Sequence, residues 1–266
     1  MDAVSGVFRT QLDAESAVKE IRQAGIPADK VTLLTPGTEN QIEQEINSAP
    51  VDEAEQPGIG KAIGALLGGG VGITGGAMLI ALVPGVGPVT ALGLLGAGIL
   101  GAAGATLGAA AGGKVENAMT EGLPHDEIFV YEDALRKGRS VVIALAENEE
   151  SAARVHDILR AKGAETIDAA REQWWIGLRG AEEAHYSSSG GNFSDDEKFY
   201  RMGFEAALHA KHRCVEFDQV SGEMNAALED VQRQYPGAKV EEAFTRGYRR
   251  GREHYETLCN EETKAA

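Results

Sequence analysis

Five residues toward the C-terminal end carry the side chains that a metal selects. His209, His212 and Cys214 lie in "HAKHRC", and His254 and Cys259 lie in "HYETLC"; imidazole with thiolate is the donor set of structural zinc. Their spacings fit no standard finger, and the two sets do not superpose on each other. Helix-surface histidines and half-buried free thiols are therefore the preferred reading, with no metal and no cofactor expected; a metal-binding sensor or enzyme built on these residues is the third-ranked alternative. "GIGKAIG" lacks the GK[ST] ending of a phosphate loop and does not follow a strand. No Ser-His-Asp or paired-carboxylate constellation stands out, so no catalytic residue is assigned and the chain reads as non-enzymatic. His125, Asp126 and Glu127 suit the first turn of a helix begun at Pro124, where negative charge complements the dipole.

A different regularity dominates the middle of the chain. Gly60, Gly64, Gly68, Gly72 and Gly76 recur at a spacing of four, and Gly104, Gly108 and Gly112 repeat it, with Gly101 on the neighbouring ridge. In a water-exposed helix each glycine costs about 1 kcal/mol against alanine. Small residues every fourth position form a groove in which two helices approach closely, and lipid removes the unfolded alternative because bare backbone groups there find no partner. Residues 62–113 contain no charge, Lys61 and Lys114 bracket them, and "PGVGP" divides them. Each half exceeds the roughly 20 residues needed to cross a bilayer. A membrane-inserted helical hairpin is the first expectation, and a hairpin buried in the core of a homo-oligomer is the alternative.

The elements around this segment have the pattern of a small α/β domain. Residues 4–9 read as a strand, Asp13 as the cap of a helix with Ala14, Ala17, Val18, Ile21 and Ala24 inside, Gly25 as its stop, and "KVTLLTP" as a second strand. The order returns later: "SVVIALA" as a strand, Asn148 as a cap, Val155, Ile158 and Leu159 inside a helix, Gly163 as its stop, and "ETIDAA" as a last strand. Two βαβ halves make a ferredoxin-like sandwich. The expected class is α+β: a split domain over residues 1–36 and 139–170, an acidic linker at 37–58, the hairpin at 59–114, a connecting helix at 115–138, a linker at 171–194 and a three-helix module at 195–260.

The sequence "SGVFRTQLDAESAVKEIRQAGIPADKVTLLTP", the glycine segment split by "PGVGP", and "GLPHDEIFVYEDALRKGRSVVIALAENEESAARVHDILRAKGAETID" together resemble the bacterial general-stress and heat- or low-temperature-induced protein family. In that family a small α/β domain is interrupted by a glycine-zipper hairpin. The resemblance covers about residues 4–168. It implies a role in stress and no chemistry, since the family has no established catalytic residues to carry over.

In the C-terminal part, "QWWIGLRGAEEAHYSSSGGNFS" reads as a connector whose Trp174 and Trp175 cover the end of the sandwich. An internal repeat follows: Tyr200, Gly203, Phe204 and Ala207 correspond to Phe244, Gly247, Tyr248 and Gly251. Spacings of three and four put each set on one helix face, with the small residues admitting a partner helix. Val220, Met224, Leu228 and Val231 mark a middle helix ended by "YPG". These aromatic-Gly-aromatic helices resemble a helical module found beside stress-protein domains in bacteria. Arg246, Arg249, Arg250 and Arg252 could meet anionic headgroups, but Glu241, Glu242, Glu253 and Glu256 lie within helical reach and favour a salt-bridged face.

The formal net charge of -16 over 266 residues argues against nucleic-acid binding, which needs a basic surface. "MDAVSGVFRT" has neither a basic nor an apolar leader region, so no secretory signal is expected. The resulting expectation is a non-enzymatic stress-associated protein of the bacterial inner membrane, its hairpin self-associating among membrane lipids and its other domains facing the cytoplasm. A cytoplasmic homo-oligomeric scaffold is the alternative, and the protein partner of the outer domains is left open.

Overall fold

A computed structural model describes residues 2–36, 78–83, 87–92, 127–209, 212–213 and 215–265. The nine zipper glycines (Gly60, Gly64, Gly68, Gly72, Gly76, Gly101, Gly104, Gly108 and Gly112), the acidic linker, His125, Asp126 and Cys214 lie outside the described residues. The chain is mixed α and β and divides into two compact units, residues 1–124 with 130–170 and residues 125–129 with 171–266.

The first unit is built on an antiparallel sheet. Strands β1 (Asp2–Phe8), β2 (Val31–Pro36), β3 (Met78–Val83), β4 (Gly87–Leu92) and β5 (Ser140–Ala146) lie in the order β1-β5-β2-β4-β3. Helix α1 (Gln11–Gln23) carries the chain from β1 to β2, leaving room between them for β5, which is antiparallel to both. Pairing runs from Asp2↔Ala146 to Phe8↔Ser140 on one side of β5 and from Val31↔Ala144 to Leu34↔Val141 on the other.

Every residue of β5 is buried. That explains why "SVVIALA" is a continuous apolar run and does not alternate, since a strand covered on both faces has no polar side. On one face Phe8, Leu33, Val142 and Ala144 meet Ala14, Ala17 and Ile21 of α1 and Val155 and Leu159 of α3 (Glu149–Ala161). On the other face Val7, Leu34, Val141 and Ile143 are 0–1% exposed. Tyr131 of α2 (Ile128–Arg136) donates a hydrogen bond to Ser5 Oγ at 3.2 Å, setting α2 on that second face.

The structure corrects three local readings in this unit. The cap of α1 is Thr10, whose Oγ1 accepts from the Asp13 backbone N–H at 3.2 Å and donates to Asp13 Oδ2 at 2.6 Å. Asp13 sits three residues in, and its carboxylate accepts from the Thr10 hydroxyl and not from the backbone N–H that a capping box would use. Asn148 does cap α3 as expected, in a reciprocal pair with Ser151. "ETIDAA" is not a strand: Glu165 makes a single bridge to Val7, and Thr166 Oγ1 then accepts from Ala169 N–H at 3.2 Å, so the chain turns at once into helix α4 (Ile167–Ser188). Local capping there wins over strand extension.

The third correction concerns the expected helical hairpin at 59–114. Residues 78–83 and 87–92 are strands, β3 pairing with β4 from Met78↔Leu92 to Val83↔Gly87 and β4 with β2 from Leu33↔Leu92 to Pro36↔Val89. "PGVGP" overlaps the start of β4, which takes in its Gly87 and Pro88, and the edge of β2 supplies the backbone partners that β4 needs. A long apolar run read by length alone misses that edge.

The second unit is helical. From Arg171 onward it contains the rest of α4, then α5 (Phe193–Leu208), α6 (Phe217–Gln234) and α7 (Val240–Ala265). The stretch read as a 171–194 linker is therefore mostly helix, and the expected three-helix module has a fourth member. Trp174 and Trp175 are 4% and 3% exposed and pack within this unit, each ring 5.9 Å from that of Phe204.

Candidate functional site

The most built part of the second unit is where α4, α5 and α7 meet. The internal repeat explains the α5–α7 contact. Gly203 of α5 presses on the main chain at Phe244 and Tyr248 of α7, and Gly247 of α7 presses on the main chain at Tyr200 and Phe204 of α5. Gly251 lies against Phe204 in the same way. Each half of the repeat is the partner helix that the other half's small residues admit. On the α6 side, Phe199, Ala207, Phe244 and Tyr248 share a core with Phe217, Val220, Met224 and Leu228.

Helix α4 joins through polar side chains that sequence reasoning did not select. Glu182 is 2% exposed. It accepts from Tyr200 Oη at 2.7 Å and from Arg250 Nε and Nη2 at 3.1 and 3.2 Å, so one carboxylate ties α4 to both repeat helices. Glu197 plays the same part nearer the start of α5, accepting from Trp175 Nε1 at 2.9 Å and from Arg179 Nε and Nη2, each at 2.8 Å. Two-point guanidinium contacts of this kind fix orientation as well as charge. Tyr186 donates to Asp196 Oδ2 at 2.8 Å, while the Arg246 guanidinium stands 3.6 Å from the Tyr186 ring centre.

The titration behaviour follows from that geometry. Arg179's hydrogen bonds hold the Glu197 carboxyl below its usual range, with burial opposing them. Burial raises the Tyr200 hydroxyl far above 10, and its bond to Glu182 adds to the shift. Tyr186 is raised by burial and then by Asp196, and burial pushes Tyr248 up to about 12. A carboxylate saturated by a guanidinium and a neutral phenol is suited to holding helices together; a general base needs an available lone pair and a pKa near the working pH.

Of the candidate metal residues, His209, His212, His254 and Cys259 are described. His212 is buried, with Nδ1 3.0 Å from the Ala206 carbonyl and its ring stacked on that of His209. His254 rests against the Phe204 ring at 5.5 Å, and Cys259 is half-buried. Among the described residues no group of three or more His, Cys, Asp and Glu is placed to hold a metal ion. Arg250 and Arg252 of the arginine patch are salt-bridged, with Glu253 and Glu256, which the sequence reading named, and with Glu182 and Glu216, which it did not.

In the first unit a shallow cleft of about 460 Å³ lies between α1 and β2, lined by Val18, Leu33, Lys19, Arg22, Glu15 and Gln23. Its lining brings no nucleophile beside a base. Among the described residues no helix is long and apolar enough to cross a membrane. Comparison with protein-family models, with curated proteins and with solved structures finds no match.

Proposed function

We propose that this chain is a non-enzymatic, stress-associated protein that assembles with copies of itself through its charge-free, glycine-spaced segment. The observation that carries the reading is the run of residues 62–113 without a single charge in a chain of net charge -16. Such a run needs cover from water, and its period-four glycines suit close helix contact. In the second unit the buried Glu182 carboxylate is spent on joining helices, which suits a structural role for that cluster. The likeness of residues 4–168 to the bacterial stress family supplies the biological setting.

In this reading the first unit is a ferredoxin-like sandwich with an added hairpin. Strand β5 lies between β1 and β2, α1 and α3 share one face, and Glu165 stands at the outer edge of β1 where that fold keeps its last strand. The β3–β4 hairpin extends the opposite side.

A shared protein core is the favoured environment for the glycine segment. With 78–83 and 87–92 in the sheet, sixteen uncharged residues remain before β3 (62–77) and twenty-one after β4 (93–113). Sixteen helical residues reach about 24 Å, short of a hydrocarbon core of about 30 Å. The second reading, anchorage to the bacterial inner membrane with the described units in the cytoplasm, rests on 93–113, which alone is long enough to span. Fractionation of cells making the untagged chain separates the two. A discrete particle in detergent-free extract supports the shared core, retention in carbonate-washed membranes supports lipid anchorage, and a soluble monomer overturns both.

A further inference from the structure

We propose that the outer edge of β3 is where two copies of this chain meet, β3 of one pairing antiparallel with β3 of the other so that two sheets become one. The proposal rests on the reading that the chain self-associates through its charge-free segment, and it adds a row of backbone groups to the contact made there by the glycines.

The two edges of the sheet differ. At the β1 edge, Val7 exchanges both main-chain hydrogen bonds with Glu165, at 2.9 and 2.8 Å, and a Cβ on Gly6 would come within 2.8 Å of Ala164. That edge is covered by its own chain at Gly6 and Val7. At the β3 edge no further strand follows among the described residues. An edge strand keeps N–H and C=O groups that require partners, and proteins protect such edges with charge, proline or bulges. Met78–Val83, "MLIALV", contains no charged residue and no proline.

Charge selects a second copy as the partner. Two chains of net charge -16 repel over most of their surfaces. Residues 62–113 carry no charge, and β3 lies within them, so pairing there brings together the stretch where that repulsion is least. Geometry agrees: every neighbouring pair in the sheet is antiparallel, and a two-fold axis beside Ala81 continues that order, setting Ala81 of one copy opposite Ala81 of the other.

The test uses the full chain and Ala81→Lys, which sets two like charges near the axis. By sedimentation, the wild type should associate, and Ala81→Lys should weaken association about tenfold or more at unchanged circular dichroism. Hydrogen exchange on the wild type reads the edge directly and stands even if the variant fails to fold. Protection of amides within 78–83 that rises with protein concentration supports the proposal. Exchange there that is independent of concentration in an associating protein overturns it, as does undiminished association of a folded Ala81→Lys. If Gly64, Gly68 and Gly72 changed together to leucine abolish association while β3 exchange stays concentration-independent, this proposal fails and the glycine reading stands. A wild type that is monomeric throughout overturns both.

Discussion

Gly203 and Gly247 are each other's counterpart across the α5–α7 crossing. A Cβ on Gly203 would lie 1.9 Å from the Phe244 carbonyl oxygen, and one on Gly247 would lie 1.9 Å from that of Tyr200. Tyr200 and Phe244 hold the same place in the internal repeat, so the two helices meet about a local two-fold axis.

Gly203→Ala or Gly247→Ala therefore forces the helices apart, because the obstructing atom is backbone and not a flexible side-chain tip. Each should cost about 2–3 kcal/mol, the range of overpacked cores. Gly177→Ala on α4 is the control: nothing lies within 4 Å of its added Cβ. It should stabilise the helix by about 0.5–1 kcal/mol. Thermal denaturation of the three variants checks the contrast.

Arg250→Met leaves Glu182 buried with only the Tyr200 hydroxyl of its two partners, and should cost about 3 kcal/mol. Glu182→Leu with Arg250→Met should recover most of that loss, since two apolar side chains leave no stranded charge. A double-mutant cycle in urea measures the difference.

Thr32 is fully buried on β2, and its Oγ1 has no hydrogen-bond partner. Thr32→Val keeps the shape and the strand preference and removes a stranded hydroxyl. It should raise stability by about 1 kcal/mol, read from the denaturation midpoint.

The tyrosines set an alkaline limit on stability. Tyr186, Tyr200 and Tyr248 have folded pKa values raised above the unfolded value of about 10, so folding favours their neutral forms. Their contribution is complete below pH 10 or so and falls as pH rises from there toward the folded values. Glu197 works in the opposite direction: its folded pKa is lowered, so its contribution is present above about pH 4.5 and is lost as pH falls through the folded value. Absorbance at 295 nm should show tyrosine ionisation that comes only with unfolding, from Tyr186, Tyr200 and Tyr248. A single titration near pH 10 without unfolding contradicts the buried network.

Much of the first unit was legible because its pattern is local. The β5 run, the Asn148 cap and the α1 periodicity all follow from neighbours in sequence. The β3–β4 hairpin was not legible, because its strand character depends on the edge of β2, supplied from elsewhere in the chain. Helix α4 was hidden by Gly177, Gly180 and a serine-rich end, which read as a linker. Its signal was nonetheless present in the spacing of four through Ala170, Trp174, Leu178, Glu182 and Tyr186, buried apart from the half-buried Leu178, where a carboxylate at one core position interrupted the apolar stripe. The repeat gave the helix faces at once, and the structure added that the two faces are complementary to each other.

The most direct test of self-association through the charge-free segment is sedimentation of the untagged chain beside a variant with Gly64, Gly68 and Gly72 changed to leucine. The account predicts an oligomer for the wild type and smaller species for the variant, with the same far-ultraviolet circular dichroism. A monomeric wild type, or a variant that assembles as the wild type does, contradicts it.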